Sequence, residues 1–191
     1  MKRIILASSS PRRKELLEQI GLRFEVEPSD YEEDIVPGSE PHEMARKLSL
    51  GKARAAARKH RNAIIIAADT FVVFGDRILG KPRTDAEARE MLRALNGQAH
   101  SVITGFTVLD TESGKVVSRS VETRVHMRKL TLKEIDSYVR TKEPLGKAGG
   151  YAIQGLGAVL IERIEGDYSN VVGLPLSALA ESLREFGVHA L

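Results

Sequence analysis

The sequence predicts an α/β protein with a mixed central β-sheet flanked by helices. Apolar, strand-like runs alternate with segments of helical periodicity, and the most apolar run, residues 63–68, is continuous enough for burial on both faces. Two long β-rich runs, residues 101–109 and 116–125, are joined by a short polar stretch and should form a hairpin. A central hairpin among alternating elements favours a mixed sheet over a purely parallel one.

The composition is that of an ordinary soluble globular protein, and its mild positive charge suits a protein that takes anionic small molecules. The chain of 191 residues fits one domain or two small lobes, and its net charge is +3. Because aromatic residues make up only 5% and the basic residues are dispersed, we do not expect a nucleic-acid partner. The absence of cysteine excludes disulfides, thiolate metal sites and a cysteine nucleophile.

Nothing in the sequence predicts a targeting or membrane segment. Met1-Lys2-Arg3 leads into only four apolar residues, which is not the layout of a signal peptide. The longest apolar run, residues 63–68, is too short to span a bilayer. We therefore expect a cytoplasmic protein without a membrane partner. The sequence leaves the oligomeric state open, a homodimer included.

The first strand and helix contain an unusual cluster of cations. Residues 4–7 predict a buried strand, and Pro11 suits the first position of a helix that Ser10 should cap. Residues 12–14 are Arg-Arg-Lys, and each cation at a helix N-terminus is disfavoured by about 0.3–1 kcal/mol. An anion held there would explain them, so this turn is interpreted as a phosphate cradle. Removal of Arg13 or Lys81 should then leave the stability of the empty protein unchanged or raise it. The alternative is a solvated basic turn that neighbouring glutamates neutralise.

The remaining elements follow from periodicity and from capping and turn residues. Lys52 interrupts the apolar stripe of a helix over residues 42–60, and we expect its side chain to reach water along its stem. The other predicted elements are a strand at 24–27, an exposed acidic loop at 28–41, a hairpin over 71–79, helices beginning at Thr84 and Thr131, a glycine-rich loop at 146–150, a strand at 158–164 and a closing helix from Pro175 to Phe186.

Four polar residues stand at places where chemistry is expected. Asp69 follows the most buried strand, and ligands of open α/β sheets bind at the carboxyl ends of strands. The hairpin over 71–79 should return Lys81 toward the same region. Glu33 lies in the acidic loop, and Gln154 follows the glycine-rich loop. Taken singly, each also fits a structural role: a turn cap, a solvated lysine, one acid among several, or an amide paired with backbone.

Four separated motifs in one order resemble the Maf family of nucleoside triphosphate pyrophosphatases. They are SSSPRRKELL at residues 8–17, AADT at 67–70, GKP at 80–82 and AGGYAIQG at 148–155. The resemblance covers nearly the whole chain and is strongest to the dTTP/UTP branch, whose last motif reads AYGIQG. It implies a single Maf-like domain over residues 1–191, with the elongated mixed sheet of the Maf and ITPase folds and two lobes with the active-site cleft between them.

The resemblance also implies a reaction. These enzymes hydrolyse dTTP and UTP, and modified pyrimidine nucleotides are related candidates, to the nucleoside monophosphate and pyrophosphate with a divalent cation, Mg²⁺, Mn²⁺ or Co²⁺. Two alternatives remain open at this point: a pyrophosphatase acting on 7-methylguanosine triphosphate, and a nucleotide-binding regulator of septum formation that does not turn its ligand over.

Residue by residue, the motifs imply the following roles. Asp69 is the catalytic carboxylate, either as general base or as a metal ligand together with Glu33. Arg12, Thr70 and Gln154 match positions linked to base choice. The full set of substrate-binding residues that the resemblance implies is Ser8, Arg12, Arg13, Lys52, Thr70, Lys81 and Gln154.

Overall fold

The computed structural model describes residues 2–31 and 40–190. The helices are α1 (Pro11–Gln19), α2 (Pro41–Ala57), α3 (Asp85–Leu95), α4 (Leu132–Arg140), α5 (Tyr168–Val172) and α6 (Leu176–Arg184). The strands are β1 (Arg3–Leu6), β2 (Glu25–Val26), β3 (Ala63–Phe74), β4 (Arg77–Leu79), β5 (Ala99–Asp110), β6 (Val116–Met127) and β7 (Ile161–Glu165). No helix among the described residues is both long enough and apolar enough to cross a membrane.

The strands form a mixed sheet, which confirms the predicted fold class. Their order is β2-β1-β3-β5-β6-β7, with β4 paired to β3. β1 pairs in parallel with β2 and β3, whereas β3–β4 and β6–β7 are antiparallel. The parallel pair β1 and β3 consists of continuous apolar runs, as expected for strands that are buried on both faces, whereas the short strand β2 is exposed.

The third strand differs from the expectation. Asp69 was expected at the end of a strand, but β3 continues through it to Phe74. The pairing with β1 ends at Leu6 and Ile66, and β4 takes over as the antiparallel partner from Val72 onward. Asp69 therefore lies in mid-strand, just past the carboxyl end of β1, because a second partner extends the strand beyond the first.

The chain divides into two compact units. The first unit comprises Met1–Asp69, Thr104–Val121 and Gly173–Leu191, and the second comprises Thr70–Ile103 and Glu122–Val172. The first has an aliphatic cluster that includes Ile5, Ile65 and Leu109. The second has its own cluster, in which helices α3 and α4 pack. The single domain over 1–191 and the cleft between two lobes stay predictions.

Several local expectations are confirmed and others change. Thr131 and Glu134 form the predicted capping box at the start of α4. Ser10 occupies the cap position of α1, but its side chain makes no capping bond. The strand expected at 158–164 begins only at Ile161, since Gly155–Leu160 forms 3₁₀ turns.

The turn between β5 and β6 is held by the carboxylate of Asp110. It accepts hydrogen bonds from Lys2 Nζ at 2.7 and 2.9 Å, from the Glu112 N–H and from the Ser113 hydroxyl. Burial alone would raise the pKa of Asp110, but the bonds from these three residues lower it to about 2 from 3.8. The ionised form is therefore favoured in the folded protein.

We expect the stabilisation by Asp110 to depend on pH. Since the folded pKa lies below the unfolded one, the contribution is complete above about pH 5 and is lost as the pH falls from about 4 toward 2. The melting temperature of Asp110→Asn should lie below that of wild type at pH 7, and the difference should shrink at pH 2. An equal difference at both pH values would contradict this account.

Candidate active site

The structure places the predicted site residues in two groups, one in each unit. Ser8, Arg12, Arg13, Lys52 and Asp69 belong to the first unit, and Thr70, Lys81 and Gln154 belong to the second. Glu33 lies outside the described residues.

A lysine–carboxylate pair is the centre of the first group. Lys52 Nζ on α2 lies 2.6 Å from Asp69 Oδ1 on β3, and the two side chains are only 14% and 10% exposed. The expectation that Lys52 reaches solvent was therefore wrong, because a carboxylate on the neighbouring strand compensates its charge inside the protein. The contact fixes one oxygen of the carboxylate that the sequence singles out for catalysis.

Arg13 ties helix α1 to the strand that carries Asp69. Its guanidinium donates to the carbonyl of Ala68 at 2.8 Å, to the carbonyl of Gly173 at 2.8 Å and to Ser8 Oγ at 3.2 Å. Ser8 is buried, and its hydroxyl also accepts from the Ser10 N–H at 3.2 Å. Arg13 thus holds the residue next to Asp69, in addition to the phosphate role that its motif implies.

These contacts change the expectation about the stability of the cradle. A guanidinium that donates to two backbone carbonyls contributes to folding, since its removal costs both hydrogen bonds. We therefore now expect Arg13→Ala to lower stability rather than to leave it unchanged or raise it. Arg12, in the same turn, is half-buried.

The second group brings together two of the sequence motifs. The N–H of Gly149 donates to the carbonyl of Gly80 at 3.0 Å, and the N–H of Gly146 donates to that of Pro82 at 3.1 Å. Gly149 has a φ of 69°, and a Cβ there would lie 2.9 Å from Val72 Cγ2. The glycine-rich loop can therefore approach the β3–β4 pair this closely only with glycine at position 149. The two carbonyls that accept its hydrogen bonds precede and follow Lys81 in the chain.

Among the described residues, neither the Lys81 ammonium nor the Gln154 amide has a protein partner. Lys81 is exposed, and in the described part of the chain its ammonium makes no ion pair or hydrogen bond. If the β3–β4 register continued two residues past Val72 and Leu79, Lys81 would stand opposite Thr70, which is half-buried. Gln154 is also half-buried, and its amide has no hydrogen-bond partner within residues 2–31 and 40–190. Groups of this kind are suited to contact a ligand.

Sequence reasoning missed two pairs of side chains around the last motif. Tyr151 and His100 share a hydrogen bond of 2.7 Å with their rings edge to face. Burial, together with the charge on His126, lowers the pKa of His100 to about 4, and burial raises the pKa of Tyr151. The other pair is Tyr138 and Glu143. The members of the first pair lie 51 residues apart, so no local pattern predicts their contact. The members of the second lie only five residues apart, but they match no capping or turn motif.

The described residues are compatible with a divalent cation that shares the phosphates of a substrate. Over residues 2–31 and 40–190 there is no cluster of three or more acidic or histidine side chains that could enclose a metal. Asp69 supplies one buried carboxylate. Mg²⁺ usually takes only one or two protein carboxylates when phosphates complete its shell, so this donor fits such a cation.

A model of the Maf-like protein family matches residues 3–186. The chain belongs to the Maf family. A Maf relative from Methanosarcina barkeri, named dTTP/UTP pyrophosphatase, is 52% identical over 98% of this chain and 96% of its own. Another of that name, from Bacillus mycoides, is 48% identical over 97% of this chain and 96% of its own.

A solved structure supports the fold of this Maf protein. A Ham1 protein from Coxiella burnetii superposes with a TM-score of 0.55 over 97% of this chain and 100% of its own. Because the two sequences are only 17% identical, the likeness concerns the fold alone. It agrees with the Maf and ITPase type of mixed sheet that the sequence motifs imply.

Proposed function

We propose that this protein is a nucleoside triphosphate pyrophosphatase that hydrolyses dTTP and UTP to the nucleoside monophosphate and pyrophosphate. The observation that carries the proposal is the largely buried Lys52–Asp69 pair beside Arg13, which gives a fixed carboxylate among cations. Full-length relatives that are about half identical and named dTTP/UTP pyrophosphatase support the choice of nucleotide. A cytoplasmic location is part of the proposal.

The residues of the first unit account for the chemical step. A water molecule attacks the α-phosphorus, and the bond between that phosphorus and the oxygen bridging the α- and β-phosphates breaks. Pyrophosphate leaves with the bridging oxygen. Asp69 accepts the proton of the attacking water. Lys52 holds the Asp69 carboxylate, and the cations of the α1 turn offset the negative charge that develops on the phosphates.

A divalent cation belongs to this proposal as an expectation. When bound, it neutralises phosphate charge and lowers the pKa of a bound water. Asp69 would hold it, together with Glu33 as the second carboxylate that the sequence motif implies. Asp69 then acts as a ligand instead of, or in addition to, a base, which is the alternative that the sequence already left open.

The proposal is tested with a panel of nucleotides and metals. dTTP, UTP, CTP and 7-methylguanosine triphosphate are each incubated with Mg²⁺, Mn²⁺ or Co²⁺, and pyrophosphate is measured. We expect dTTP and UTP to be the best substrates and chelation of the metal to stop turnover. Faster release from 7-methylguanosine triphosphate would instead support that branch of the family. Retention of nucleotide without pyrophosphate would support a binding regulator.

Lys81 should affect substrate use without affecting stability. We expect Lys81→Met to lower kcat/KM for UTP by at least about tenfold, since a charge-assisted contact with phosphate contributes about 1.5–3 kcal/mol. Its melting temperature should stay within a degree or two of wild type, because the side chain is exposed. Lys133→Met is the matched control, an exposed lysine of the same unit, and it should change neither quantity. A matching loss of kcat/KM in both variants would contradict a specific role for Lys81.

A further inference from the structure

Gln154 lies in a segment that one pair of side chains holds on both sides. The pair consists of Tyr138, on α4, and Glu143, in the loop after it, and all three residues belong to the second unit. The Tyr138 hydroxyl donates to Glu143 Oε1 at 2.9 Å. Neither side chain was singled out by the sequence motifs.

The first anchor holds the chain two residues before Gln154. The N–H of Ala152 donates to the Tyr138 hydroxyl at 3.2 Å, and both residues are buried. A hydroxyl that accepts one bond and donates another has its direction fixed by both partners. Ala152 is therefore tied through Tyr138 to the carboxylate of Glu143.

The second anchor holds the chain just after Gln154. Glu143 accepts from the N–H of Gly157 at 2.8 Å and from that of Leu156 at 3.1 Å. Burial alone would raise the pKa of Glu143, but these two bonds and the one from Tyr138 lower it overall. The side chain is thus a carboxylate at neutral pH, and it satisfies the first N–H groups of the 3₁₀ turns that Gly155 begins.

The two glycines of this segment leave room for the pair and for little else. A Cβ at Gly155 would lie 2.7 Å from Glu143 Oε2, and Gly155 has a φ of 67°. A Cβ at Gly157 would lie 2.6 Å from the Tyr138 hydroxyl oxygen. The backbone on the carboxyl side of Gln154 therefore follows the surface of these two polar groups.

We propose that Glu143 and Tyr138 are positioning residues that hold the Gln154 amide where it reads the pyrimidine base. The inference rests on the proposed function, since it assumes that a uracil or thymine base is the group read. An amide offers one donor and one acceptor, which match O4 and N3–H of uracil. Hydrogen bonds weaken over a few tenths of an ångström, so loosening the segment should lower kcat/KM most for the base with which the amide makes both bonds. Cytosine presents a different edge, so kcat/KM for CTP should fall less.

The test compares kcat/KM for UTP and CTP in a double-mutant cycle. Gln154→Ala should narrow the ratio of UTP to CTP by at least about tenfold. Glu143→Gln keeps the size of the side chain but cannot accept from both N–H groups, and it should narrow the ratio by at least about fivefold. The double variant should show the ratio of Gln154→Ala alone, because the effect of Glu143 passes through the amide.

A matched control separates positioning from stability. Glu134 also accepts a backbone N–H, that of Thr131 at 2.7 Å, at the start of a helix of the same unit. Glu134→Gln should lower the melting temperature without changing the ratio. If Glu143→Gln does not fold, Tyr138→Phe serves in its place. It removes only the hydroxyl that links Ala152 to Glu143, and it should narrow the ratio of UTP to CTP in the same direction.

Each remaining outcome counts against the inference. It is overturned if Glu143→Gln, or Tyr138→Phe in its place, leaves the ratio at the wild-type value while wild type hydrolyses UTP. It is also overturned if the ratio narrows by the same factor with and without Gln154. Wild-type protein that releases no pyrophosphate from UTP overturns the proposed function first, and this inference with it.

Discussion

Asp69→Asn is expected to lower kcat for UTP by at least about 100-fold, which corresponds to about 2.7 kcal/mol of lost transition-state stabilisation. The amide has the same size as the carboxylate, and its oxygen can still accept a hydrogen bond from Lys52. It cannot accept a proton from water or ligate a cation as a carboxylate does. The fold should survive, because asparagine fits the same space in β3. Steady-state pyrophosphate release and a melting curve measure both effects.

Asp110→Asn is the matched control for that variant. Asp110 is also a buried aspartate of the first unit that pairs with a lysine, at 2.7 Å from Lys2 Nζ. Its replacement should cost stability at neutral pH and leave kcat near the wild-type value. The account of Asp69 is contradicted if folded Asp69→Asn keeps more than about a tenth of wild-type kcat, a loss under about 1.4 kcal/mol.

Lys52→Met should have the second-largest effect, on both activity and stability. We expect kcat/KM for UTP to fall by at least about 100-fold, because the carboxylate loses the contact that fixes it. The free energy of unfolding should fall by about 1–3 kcal/mol, since a largely buried charged acceptor loses its cationic partner. Chemical denaturation followed by circular dichroism measures the second quantity.

A double variant tests why Lys52→Met is less stable. Adding Asp69→Asn to Lys52→Met removes the buried charge that the first change leaves behind, so part of the stability should return although activity does not. A double variant that is less stable than Lys52→Met alone would show that the pair does not act as a compensated buried charge pair.

The elements with local signals could be predicted from the sequence. Pro11 begins α1, Gly75 and Asp76 turn the hairpin of β3 and β4, and Thr131 with Glu134 caps α4, all as expected. Each of these signals involves residues within four positions of one another. The continuation of β3 through Asp69 could not be predicted from such local signals, because the pairing with β4, and not the strand's own residues, extends the strand.

The candidate site was predicted as a set of residues but not as a set of contacts. Lys52 was identified by its motif, yet its partner lies 17 residues away on another element. Arg13 reaches Gly173 across 160 residues of sequence, and Glu143 reaches Gly157 across 14. Such long-range contacts depend on the packing of the folded chain, which no local pattern encodes.

The position of the cleaved bond is the most direct test of the central claim, and two analogues of UTP locate it. In β,γ-methylene-UTP the bond between the α- and β-phosphates is intact, and in α,β-methylene-UTP a carbon replaces its bridging oxygen. The account predicts that wild-type protein converts the first to UMP and methylenediphosphonate and leaves the second unchanged. Turnover of α,β-methylene-UTP, or orthophosphate as the first product from UTP, would contradict it.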